Sequence, residues 1–132
     1  MMDEVINKLV RDAKAQDWGN VDKRIPEVAR NAEYVKWAYN NALTDRNGNV
    51  RDLAASIIEK ATLTDDQFGL MREKLYQRMI SDSNQYVRFR SAFALAAHGL
   101  KKYKMAVIRT LKQALKDKGV EELARNYLEN MQ

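Results

Sequence analysis

Apolar residues recur along this chain at three- and four-residue steps, the spacing that lines one face of a helix. The alternation of apolar and polar positions that marks strands is missing, and Val, Ile and Thr are never clustered in it. The most regular stretch is the last, where Val120, Leu123, Ala124, Tyr127, Leu128 and Met131 form one continuous stripe. Val50, Leu53, Ala54, Ile57, Ile58 and Ala61 form a second, and Val107, Leu111, Ala114 and Leu115 a third. Phe68, Met71, Leu75 and Met79 make a fourth, and Val5, Ile6, Leu9, Val10 and Ala13 make another that begins at Asp3.

Local signals punctuate these stripes. Gly19, Gly48, Gly99 and Gly119 fall between periodic stretches, where a helix end uses glycine to reach a left-handed backbone. Thr64-Asp65-Asp66-Gln67 reads as a capping box, in which the Thr hydroxyl accepts from the third helical amide and Gln reaches back. Pro26 predicts an early helical position, because proline lacks the amide that deeper positions need. Asn31 and a change of apolar phase after Ala32 divide the stretch from Asn20 to Leu43 into two helices. The pattern predicts eight helices, over about residues 3–16, 20–30, 32–44, 49–61, 65–81, 84–98, 102–117 and 119–131.

Composition narrows the possible chemistry. At 132 residues a single domain is the expectation, and 45% hydrophobic with 31% charged residues suits a folded chain rather than a disordered one. Zero Cys excludes disulfides, thiolate metal sites and Cys nucleophiles, and one His excludes any site needing two imidazoles. No apolar run approaches the ~20 residues of a membrane span, and Met1 to Val10 lacks a signal-peptide layout, so a cytoplasmic location is expected. The net charge of +5 is unevenly spread. Basic and acidic residues balance up to Ser81, whereas residues 82–132 hold ten basic and five acidic side chains. The densest part, Lys101 to Lys118, carries Lys101, Lys102, Lys104, Arg109, Lys112, Lys116 and Lys118 against Asp117 alone. A positive field of this kind attracts phosphates or acidic protein surfaces.

The chain also repeats itself. Leu43-Thr-Asp45-Arg-Asn-Gly-Asn-Val50-Arg51 aligns with Ile80-Ser-Asp82-Ser-Asn-Gln-Tyr-Val87-Arg88 at a constant offset of 37 residues. The match runs on from Ala54 to Ser91, Ala55 to Ala92 and Ile58 to Leu95. A shortened third copy begins at Leu115-Lys-Asp117-Lys-Gly-Val120, with two turn residues missing. The pattern Asp-x-x-x-x-Val-Arg-x-x-Ala-Ala and its period resemble the second helix of HEAT and HEAT-like repeats. The proline often found in the first helix of such repeats is missing from 32–44, 65–81 and 102–117. The resemblance implies a short right-handed α-α superhelix of about four helix pairs, at 3–30, 32–61, 65–98 and 102–131. It further implies a non-catalytic scaffold that binds a protein partner on a concave face lined by second helices. Asp45, Arg51, Asp82 and Arg88 resemble the family's ladder positions, where charge-assisted hydrogen bonds hold adjacent repeats in register.

Two sets of residues are candidates for binding. Under the 37-residue offset, Phe89 and Phe93 stand where the preceding copy has Asp52 and Ser56 and the following one Glu122 and Asn126. Polar residues at equivalent places imply exposure, and two exposed rings one turn apart would anchor a partner. The alternative is a rotated helix that buries both rings, which the apolar run Ala92–Ala97 supports. Lys102, Arg109, Lys112 and Lys116 form the second set: Arg109, Lys112 and Lys116 share one helix side, and Lys102 lies a heptad before Arg109. They would grip a phosphate backbone, with Tyr86 and Tyr103 as added stacking surface, or form a plain solvated face. Some HEAT-like proteins, base-excising glycosylases among them, use a basic surface on duplex DNA, so nucleic acid is the second expectation for a partner.

Catalytic and metal chemistry find no footing in the sequence. His98 ends a helix beside Gly99, where the helix dipole suits a capping imidazole. In Asp45-Arg-Asn47-Gly-Asn49, Val50 stands where a calcium loop needs glycine and Ser56 where it needs the closing Glu. Trp18 and Trp37 are expected to pack, with an exposed Trp18 in its Asp-Trp-Gly-Asn turn as the alternative. No metal ligand set, cofactor or catalytic residue is assigned, and carboxylate-only catalysis is the one enzymatic option left.

Overall fold

The structure, a computed structural model, describes residues 4–131; the expected helix start at Asp3 lies outside them. The described residues hold eight α-helices and no strand, and none of the helices is long and apolar enough to cross a membrane. They divide into two compact units, up to Thr62 and from Leu63 on.

The first unit contains α1 (Glu4–Lys14), α2 (Trp18–Val28), α3 (Ala32–Asn40), a 3-10 turn at Ala42–Thr44 and α4 (Gly48–Lys60). α4 is its centre and packs against α1, α2, α3 and the 3-10 turn. Leu53, Ala54, Ala55, Ile57 and Ile58 are all buried, so α4 is covered nearly all round. The surrounding helices each contribute a stripe at helical spacing: Ile6, Leu9 and Ala13 from α1, and Val21, Ile25 and Val28 from α2. Asp17 caps α2 through the Asn20 amide, which starts the helix at Trp18 and draws Gly19 inside it. Pro26 therefore sits in the last turn of α2 rather than the first. It is exposed there, and the helix ends at Val28, so the missing donor costs one bond in the last turn.

The second unit contains α5 (Asp65–Ser81), α6 (Gln85–His98), a 3-10 turn at Lys101–Tyr103, α7 (Lys104–Ala114) and α8 (Glu121–Asn130). α6 packs against α5, α7 and α8. The capping box forms as expected: the Gln67 amide donates to Thr64 Oγ1 at 3.1 Å, and the Thr64 amide to Gln67 Oε1 at 2.9 Å. The expected helices 32–44 and 102–117 are each shorter, because a 3-10 turn ends the one and begins the other.

The internal repeat is visible as a turn built more than once. The Asp45 carboxylate accepts the Asn47 amide at 2.8 Å, and the Asn47 side chain accepts the amides of Asn49 and Val50. The Arg51 guanidinium closes the turn by donating to the Asp45 carbonyl at 2.8 Å. Thirty-seven residues on, Asp82 accepts Asn84, Asn84 accepts Tyr86 and Val87, and Arg88 donates to the Asp82 carbonyl at 2.7 Å. The shortened third copy keeps only the first of these bonds, from the Gly119 amide to Asp117 at 2.8 Å. Its other carboxylate oxygen accepts the Tyr86 hydroxyl at 2.7 Å and the Gln85 amide at 3.2 Å, tying the second copy to the third.

Candidate functional site

Phe89 and Phe93 are not exposed. Phe89 is 4% and Phe93 0% accessible, so the rotated-helix alternative holds and neither ring is available as an anchor. The reason lies in α6 itself, which is buried at Val87, Phe89 and every position from Ser91 to Leu95, so its orientation follows from its neighbours rather than from one amphipathic stripe. Phe93 stacks on Tyr127 of α8 with centroids 5.6 Å apart, and Phe89 meets Tyr86 edge-on at 6.1 Å. Of the polar positions grouped with them, Asp52 is also buried and Ser56 half-buried, while Glu122 and Asn126 are exposed and line a shallow depression with Lys118 and Leu123.

The basic set fares differently. Lys102, Arg109, Lys112 and Lys116 are all exposed. Among the described residues, Lys101, Lys104, Arg109, Lys112, Lys116 and Lys118 have no ion-pair partner. Lys102 leaves the helical row, because it lies in the 3-10 turn before α7, with its ammonium 5.4 Å from the centre of the Tyr103 ring. Tyr86 and Tyr103 are committed to internal hydrogen bonds, to Asp117 and Glu73, rather than offered to bases.

Two contiguous features occupy the side where α5 meets α7. The first is a clamp. Tyr103 donates its hydroxyl to Glu73 and stacks on Tyr76 at 4.0 Å. That hydrogen bond, with burial and the carboxylate charge, pushes the Tyr103 phenol up to about 12. The same bond holds the Glu73 carboxyl below its ordinary value, helped by the Gln77 amide and the nearby Lys102, against a smaller opposing effect of burial. The loop that delivers Tyr103 bends sharply. Gly99 sits at φ +147° and a Cβ there would meet the Arg72 guanidinium at 3.1 Å, while Lys101 adopts φ +46°. Arg72 secures the loop by donating to the Gly99 carbonyl at 3.0 Å, with its guanidinium 5.1 Å from the Phe68 ring centre.

The second feature is a groove. Tyr76, Met79 and Ile80 of α5 face Ala106, Thr110 and Gln113 of α7, and Arg88 and Arg109 stand at its edge. Met79 is buried beneath it, whereas Ile80 is 50% exposed. The stripe Phe68, Met71, Leu75 and Met79 points α5 inward as the sequence indicates, which leaves Ile80 on the outer side. Sequence reasoning missed this groove: the 37-residue offset pairs Ile80 with Leu43, which is fully buried. That mismatch between equivalent positions is a signal only the structure makes legible.

Among groups of three or more His, Asp or Glu in the described residues, none is arranged to hold a metal ion. Compared with known proteins, the chain matches no family model, no curated protein and no solved structure.

Proposed function

We propose that the chain is a non-catalytic interaction module, a right-handed superhelix of HEAT-like pairs that binds a protein partner in the cytoplasm. The observation that carries this reading is the thrice-used aspartate turn at Asp45, Asp82 and Asp117, each accepting the amide two residues on. A turn reused at near-constant spacing belongs to a chain built by stacking copies of one unit, and such chains serve as surfaces for other molecules. The core positions of Phe89 and Phe93 move the expected contact from α6 to the outer side of α5 and α7, where large apolar and cationic side chains are exposed together.

One observation favours a second reading, binding to a nucleic-acid backbone: Arg109, Lys112 and Lys116, on one side of α7 and the turn after it, have no ion-pair partner among the described residues. Affinity purification from the native host, with and without nuclease, separates the two. The module reading expects a discrete protein whose recovery is indifferent to nuclease; the second expects recovery lost to nuclease and falling steeply between ~50 and ~200 mM salt.

A further inference from the structure

We propose that the groove between α5 and α7 is a docking site for an acidic protein segment carrying a large apolar side chain among its carboxylates. The inference rests on the interaction-module reading and adds the chemistry of the partner. Three observations point to it. Ile80 is half exposed at a position whose counterpart in the preceding copy, Leu43, is fully buried. Ile80 and the half-buried Ala106 that faces it leave a narrow apolar strip exposed to water, with Met79 closed beneath it. The groove is flanked by two guanidiniums and none of its eight lining residues is acidic. Arg109 has no ion-pair partner among the described residues, and Arg88 uses one nitrogen on the Asp82 carbonyl and keeps further donors.

The Glu73 carboxylate of α5 and the Asp82 carboxylate just after it are engaged with other groups. Asp82 is ion-paired with Arg78 at 3.5 Å, and Glu73 accepts from Tyr103 and Gln77. Lys112 and Lys116 continue the positive potential away from the groove along the same helix and its following turn. Planar guanidiniums beside an apolar strip match a peptide that presents carboxylates on either side of a Leu, Ile or Phe. A phosphate backbone would satisfy the arginines and give nothing to Ile80, so the apolar half of the site selects protein over nucleic acid.

The test pans a phage-displayed library of random short peptides against the full chain and, separately, against Ile80→Asp and Arg109→Glu. Both substitutions lie on exposed side chains, and thermal melts confirm that each bait is folded. The proposal expects enriched peptides that combine Asp or Glu with a large apolar residue. Either substitution should weaken the best of them by about tenfold or more in fluorescence polarisation. Winners that bind both variants as well as the native chain overturn the groove while leaving the module reading to the purification experiment. An empty or basic selection overturns the groove as well, as does retention of a random-sequence DNA duplex that depends on Arg109, Lys112 and Lys116 but not on Ile80. A sedimentation coefficient that rises with concentration and falls back in Ile80→Asp would give the groove to a second copy and overturn the proposal in that way.

Discussion

Within α6, Ser91 and Phe93 are both wholly inaccessible, yet they differ in what burial does for them. Phe93 fills core volume and stacks on Tyr127. The Ser91 hydroxyl has no hydrogen-bond partner among the described residues, so folding strips it of water without replacement. The preceding copy carries Ala54 at this position, also fully buried. Phe93→Ala is therefore expected to cost ~3–5 kcal/mol, and Ser91→Ala to raise stability by about 1 kcal/mol, both read from urea unfolding midpoints. Equal losses from both would show that the hydroxyl has a partner after all. What the sequence reveals at this scale is local. The Thr64–Gln67 cap and the Asp45 and Asp82 turns are legible because every partner lies within a few residues. The burial of Phe89 and Phe93 is not, because it depends on which way α7 and α8 turn α6, and the unbroken apolar run from Ala92 to Ala97 carries no mark of that choice.

At the scale of elements, α5 is joined to the turn before α7 through one tyrosine. Folded Tyr103 keeps its proton to about 12, whereas an unfolded tyrosine releases it near 10.0. The stabilisation from the Tyr103–Glu73 bond is thus complete below pH 10 and is lost as the pH rises through about 12. Ultraviolet titration should show a tyrosine ionisation at about pH 12 that Tyr103→Phe removes. A late step that survives Tyr103→Phe would assign it elsewhere. The helices that sequence pattern located well are those with a narrow stripe and a side-chain cap, such as α5. Where no side chain caps the start, as at α7 and α8, the expected boundary falls early by about two residues. The Pro26 expectation failed for a related reason: the Asp17 cap set the start of α2, and tertiary contacts of Val21, Ile25 and Val28 carried it past the proline.

At the scale of the whole molecule, Phe89 and Phe93 of α6 build the interior of the second unit, and in the proposed reading the outer side of α5 and α7 meets the partner. Charge supports the division of labour, since the +5 excess lies within residues 82–132 and its densest run reaches from the clamp through α7. The native chain has no cysteine, so a single one carrying a photoactivated crosslinker reports on one position only. Ile80→Cys and Asn126→Cys place that probe at the α5–α7 groove and on the exposed side of α8. Irradiated in native host extract, the Ile80→Cys protein should give a discrete protein adduct that excess unlabelled chain competes away, and the Asn126→Cys protein should give none. An adduct from position 126 with none from position 80 would contradict the account.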